Sequence, residues 1–227
     1  MSIEHKDIPD SERHEPKGAS TALSGTVYVS DGAGSGSWVI PEPKGAGTAL
    51  EGQQYFSDGA GSGQWLYPVT GWANYADSAG VSQVLDTTPT ILTINSLGAN
   101  TDEGYLPREI RGVASLWDNV DNVITPIAVG DSYDVRIDLT VTAITGVPTY
   151  ILFQLDIGTA GVPNIIMEKE IQFNRTSPPI KLNDTFEIFC KGTFLANGGA
   201  IKLSVDAGTA TIGARQVFIS RNHGERP

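Results

Sequence analysis

The longest regular signal in the chain is YDVRIDLTVTA, where Tyr133, Val135, Ile137, Leu139, Val141 and Ala143 alternate with Asp134, Arg136, Asp138, Thr140 and Thr142. A period of two predicts a β-strand with one face in a core and the other in water. PTYILFQLDIG follows beyond Gly146 and Pro148, a turn signal between two strands. IIMEKEIQF, DTFEIFCKGTF, AIKLSVDAG and ATIGARQVFIS continue the series, each bounded by Gly, Pro, Asn or Asp. Shorter candidates stand at residues 91–95 (ILTIN) and around Leu116 and Trp117, and VTGWANY at 69–75 leads into the whole region. No stretch reads as a long amphipathic helix. About eight short strands with turns between them predict an antiparallel sandwich or jelly roll.

Two departures from alternation carry further information. Lys169 interrupts the apolar side of IIMEKEIQF, which predicts an edge strand. Tyr150, Leu152 and Phe189 fall on faces that alternation assigns to solvent, which predicts burial on both faces there.

Before this region the chain repeats itself. EPKGASTALSGTVYVSDGAGSGSW at 15–38 returns as EPKGAGTALEGQQYFSDGAGSGQW at 42–65, an offset of 27 residues. Pro41 and Pro68 close the two units. Each unit predicts a hairpin: short strand-like ends around a glycine-rich turn, glycine permitting the positive φ such turns need. Tyr28 then faces Trp38, and Tyr55 faces Trp65, as cross-strand pairs. A lone hairpin is marginal in water, so these units read as docking elements that need a partner surface. Pro16 and Pro43 bar a helix at each EPKG head, and Lys17 and Lys44 put one cation at the same place in both repeats of an otherwise acidic segment.

The organisation expected is therefore a flexible polar arm at 1–14, two tandem repeats at 15–68, and an all-β domain at 69–227. The chain has 227 residues and is 40% hydrophobic, enough for a sizeable core. Its net charge of −11 argues against nucleic-acid binding and against a polybasic membrane anchor. The N-terminal stretch lacks an apolar signal-peptide core, and no run approaches a membrane span, so synthesis in a cytoplasm is expected.

Candidate chemistry is sparse. Gly32, Gly34 and Gly36 are spaced like part of a nucleotide fingerprint, but the glycine runs end at tryptophans and open no helix. Asp31 and Asp58 give one carboxylate per repeat, far short of the roughly six to eight oxygens of a calcium site. His5, His14 and His223 have no second ligand at metal spacing, so no metal or cofactor is expected. Asp118 with Asp121, and Asp102 with Glu103, read as solvated loop carboxylates rather than an acid–base pair. The single cysteine, Cys190, reads as a small apolar residue within a strand. No nucleophile elbow or triad order is present, and no enzyme is expected.

The motif EPKG-x-x-TA…G…Y…SDGAGSG-x-W resembles one near the N-termini of virion structural proteins of tailed bacteriophages, in proteins that decorate the head or form head fibres. GWANYADS (71–78), LGANTDEGYLPREI (97–110), SLWDNVDNVITPIAVGDSYDVRIDLTVTA (115–143) and VFISRNHG (217–224) resemble a phage jelly roll of the tumour-necrosis-factor and complement-head type. This resemblance implies a homotrimer on the outer surface of the phage head, with the major capsid protein as partner. Docking then falls to Glu15, Pro16, Lys17, Gly18, Tyr28, Asp31 and Trp38, and to Glu42, Pro43, Lys44, Gly45, Tyr55, Asp58 and Trp65 of the second repeat. Three copies of a paired repeat would multiply weak contacts with a repeating capsid. A tail-fibre or receptor-binding tip is the rival within the same resemblance. A lectin or a sugar-processing enzyme is the rival outside it, with a host-surface glycan as partner and, for the lectin, Trp72 or Trp117 as stacking platforms.

Overall fold

A computed structural model describes residues 27–30, 36–39, 49–57, 63–159, 161–173 and 177–223. The chain divides between Leu66 and Tyr67 into two units. The arm expected at 1–14 lies outside the described residues.

The described part of the first unit holds two antiparallel hairpins: β1 (Val27–Ser30) with β2 (Gly36–Val39), and β3 (Gln54–Ser57) with β4 (Gly63–Leu66).

The second unit is an antiparallel jelly-roll sandwich. Its strands are β5 (Gly71–Ala76), β6 (Gln83–Leu85), β7 (Thr90–Ile91), β8 (Trp117–Asp118), β9 (Val123–Ile124), β10 (Ser132–Thr145), β11 (Tyr150–Asp156), β12 (Ile165–Gln172), β13 (Ile180–Phe189), β14 (Gly199–Val205) and β15 (Thr209–His223). The first sheet runs β13-β10-β15-β5, with β6 also on β15. The second runs β12-β11-β14-β9-β8, with β7 also on β14. The chain crosses between sheets after β6, β9, β10, β12, β13 and β14, wrapping both around one core.

Alternation builds that core. Tyr133, Val135, Ile137, Leu139 and Val141 of β10 are all buried. Ile151, Phe153 and Leu155 of β11 meet them from the other sheet, as do Ile201 and Leu203 of β14. Phe153 and Phe186 lie 5.0 Å apart between ring centroids and join the two layers. Each such aliphatic or aromatic side chain contributes roughly 1.5–3 kcal/mol on burial.

Four sequence expectations need correction. Ala143 is exposed rather than inward, because the pairing of β10 with β15 shifts register between Val141 and Ala143, and a one-residue shift exchanges the faces. The run ILTIN forms a strand only at its first residue; beyond Ile91 the backbone leaves β7 while Leu92 and Ile94 stay buried. DTFEIFCKGTF does not stay extended. β13 ends at Phe189, and a short helix α1 (Gly192–Asn197) follows with Phe194 in the core, so burial and not strand geometry explains the apolar spacing. Burial on both faces also fails at Phe189, which is 64% exposed, while Tyr150 and Leu152 are half-buried.

β12 sits at the sheet edge, as its lysine predicts. Lys169 pairs with Asp184 of β13 at 2.6 Å, an ion pair across the open side of the sandwich. A charge there blunts an edge that otherwise carries Ile165, Ile166, Met167 and Ile171. No helix among the described residues is long and apolar enough to cross a membrane.

Candidate functional site

The two hairpins share one register. Tyr28 faces Trp38 and Ser30 faces Gly36; Tyr55 faces Trp65 and Ser57 faces Gly63. The aromatic geometry also repeats: centroids 5.4 Å apart at 62° in the first, 5.5 Å at 61° in the second. An edge-to-face pair of this kind is worth roughly 0.5–1.5 kcal/mol beyond its area. A Cβ added to Gly63 would lie 2.1 Å from the Phe56 carbonyl oxygen, so only glycine fits where the strands converge, and the repeat keeps Gly36 at the matching position. The opposite faces differ. The first hairpin presents Val27, Val29 and Val39 to solvent; the second carries half-buried Phe56 and Leu66 beside exposed Gln54 and Gln64. The common element is thus the Tyr–Trp face. Of the remaining docking candidates, Glu15, Pro16, Lys17, Gly18, Asp31, Glu42, Pro43, Lys44, Gly45 and Asp58 lie outside the described residues.

The outer face of the first sheet carries a second cluster. Trp72 stacks on Tyr105 at 4.6 Å and on Phe218 at 5.4 Å, and the Arg136 guanidinium stands 5.2 Å over the Phe218 ring. Tyr105 is 57% exposed. Next to this stack the register aligns Asn183, Asp138 and Gln216 in one row. Gln216 donates to Asp138 at 2.8 Å, and Asn74 donates to the Asn100 carbonyl at 2.7 Å. Trp117 does not join any surface. It is 2% exposed and its indole donates to the Ile94 carbonyl, so it cannot serve as a sugar platform.

Three of the four loop carboxylates, those of Asp118, Asp102 and Glu103, are committed to local structure. Asp118 accepts from the amides of Val120 and Asp121, and Asp102 from the amide of Gly104. Glu103 accepts from the Ser115 hydroxyl at 2.7 Å. Burial pushes the Cys190 thiol up to about 11, which suits a packing residue and not a nucleophile.

Two buried ion pairs escaped the sequence reading. Arg221 of β15 meets Asp131 at 2.8 Å and Glu109 at 3.1 Å, and donates to the Val69 carbonyl at 2.9 Å. The other oxygen of Asp131 accepts from the Tyr133 hydroxyl at 2.7 Å and the Ala128 amide at 3.0 Å. Burial alone would depress the Arg221 pKa, but the Asp131 and Glu109 carboxylates together more than offset it. Arg215 pairs with Asp77 and donates to the Thr93 carbonyl at 2.6 Å. Burial there lowers the guanidinium pKa despite Asp77. Both arginines pin the connections before β10 to the long central strand β15, which holds the loops that bear Tyr105 and Asn100 in place.

No protein-family profile matches the sequence, and no curated protein matches it. Among solved structures the chain is similar to the tumour-necrosis-factor protein Eiger from S. frugiperda, at 10% identity and a TM-score of 0.37, over 70% of this chain and 98% of that one. It is similar to vertex protein P5 of PRD1 at 14% identity and a TM-score of 0.37, over 68% and 96% of the two chains. It is also similar to a chain of the cowpea mosaic virus top component, a naturally occurring empty particle, at 12% identity and a TM-score of 0.23, over 69% and 82%. Values this low assign neither a family nor a function.

Proposed function

We propose that this chain is a virion structural protein of a tailed bacteriophage that decorates the head. Its paired hairpins dock on the major capsid protein and its jelly roll projects outward as a homotrimer, without catalysis. The observation that carries the reading is the duplicated Tyr–Trp hairpin, built twice with one register and one ring geometry. A pair of four-residue strands buries too little to be an end in itself. Making it twice supplies two equivalent contacts, and a trimer supplies six. The phage-like sequence motif spans the same residues.

The trimer is proposed to close over the outer face of the first sheet. Trp72, Tyr105 and Phe218 give that face an aromatic centre, and Arg136, Asp134 and Glu187 give it a polar rim. Stabilising the capsid then follows from many small interfaces acting together.

Co-sedimentation of the full chain with capsids tests the docking. Trp38→Ala and Trp65→Ala should each weaken binding, and the double variant should weaken it more than either. Undiminished binding by the double variant, with the jelly roll still folded by circular dichroism, would refute docking through the hairpins.

A further inference from the structure

We propose that a concavity on the outer face of the second sheet binds a neutral saccharide. The space is about 670 Å³, within the range of small-ligand sites. It opens where the end of β11, residues 158–159 and 161–163, the turn between β8 and β9, the start of β14, β9, β7 and the end of α1 converge.

The walls are fixed by the local sequence. Asp156 accepts from the amides of Gly158 at 2.8 Å and Asn164 at 2.7 Å, which folds the loop back on its own strand. The Asn197 side-chain amide donates to the Ile157 carbonyl at 2.9 Å and ties α1 to that loop. Gly198 turns the chain at φ +72°, where an added Cβ would lie 2.8 Å from the Ile124 carbonyl oxygen. Any other residue would push Asn197 away from β9.

The chemistry of the lining selects the ligand. Lys202 gives one hydrogen to Asp156 at 2.6 Å, and an ammonium has two more to offer. Asp121, Asn197 and Thr159 line the same space, and among the described residues no hydrogen bond engages the Asp121 carboxylate, the Asn197 side-chain oxygen or the Thr159 hydroxyl. The lining thus offers both a free donor and free acceptors. An anionic ligand meets the unpaired Asp121 carboxylate; a purely donating cation leaves the remaining Lys202 hydrogens without an acceptor. Hydroxyl groups, which both donate and accept, satisfy the two sides together. Ile91, Val123, Pro163 and Ala200 supply an apolar wall for the C–H face of a sugar ring. The site lies on the sheet opposite to the proposed trimer face, and it depends neither on trimerisation nor on docking to a head.

Saturation-transfer NMR on the full chain tests this, with glucose, galactose and N-acetylglucosamine as neutral probes and inorganic phosphate as the charged one. At least one sugar should receive transfer, and phosphate should not displace it. Asp121→Ala should weaken that sugar at least about tenfold, since it removes a hydrogen bond to a charged group. Thr159→Val, an exposed substitution, provides a second lining variant and should weaken it as well. Both variants should melt like the parent and bind capsids like the parent. No transfer to any of the three sugars would overturn the proposal, as would transfer unchanged in both variants, or binding of phosphate alone.

Discussion

Removing the Asp131 carboxylate should destabilise the jelly roll more than almost any other single polar change. The Arg221 side chain is 1% exposed and that of Asp131 is 0% exposed. Asp131→Ala leaves the guanidinium with Glu109, which is 29% exposed, as its remaining carboxylate. Breaking a buried pair from one side costs about 3–5 kcal/mol, because the surviving charge stays out of water. The Tyr133 hydroxyl and Ala128 amide lose an acceptor in the same step, although these losses do not simply add. A domain of this size shifts its melting temperature by roughly 2–4 °C per kcal/mol, so a fall of about 6–20 °C is expected. Thermal unfolding followed by circular dichroism reads it directly. Asp131→Asn retains an acceptor for Tyr133 and should fall in between. The double variant Asp131→Ala/Arg221→Met removes both charges and should recover part of the loss. A drop of less than about 2 °C for Asp131→Ala would refute the view that this pair holds the loops before β10 to β15.

Other outcomes follow from the same geometry. Burial favours the protonated form of Asp156, yet the Lys202 ammonium and the amides of Asn164 and Gly158 outweigh it and hold the carboxyl below its ordinary range. Its stabilising effect is therefore complete above the unfolded-state value of about 3.9 and lost as pH falls through the lower folded value; melting curves of the parent and Asp156→Asn should differ at neutral pH and converge in acid. Lys169→Ile should change stability by less than about 1 kcal/mol, since the lysine is about half exposed, but should raise light scattering on standing by making one face of the β12 edge continuously apolar. Cys190 should react with a thiol reagent near neutral pH only on unfolding, and fast labelling of the native protein would contradict its burial.

The parts of the fold that sequence conveys are those set by local period. β10, β11, β12 and β14 announce themselves by alternation, and the hairpins by a repeat that keeps its aromatics and glycines in step. The Tyr–Trp contacts were legible because a two-residue period fixes which side chains share a face. Contacts that close over long stretches of chain were not. Asp77 and Arg215, or Asp131 and Arg221, carry no local pattern that marks them as partners, and each reads in sequence as an ordinary surface charge. Trp117 failed for a related reason: a two-residue strand in a loop-rich region has no period from which to infer which way it points. The saccharide site gathers residues from several elements far apart in the chain, and of these only Asp121 stood out in sequence, where it read with Asp118 as a solvated loop carboxylate.

Head decoration is tested by gold-labelled antibody against this protein on intact phage particles. Viewed by negative-stain electron microscopy, dense label distributed over the head is the predicted result. Label confined to the tail tip would contradict it, and would make the duplicated hairpins the adaptor of a receptor-binding protein.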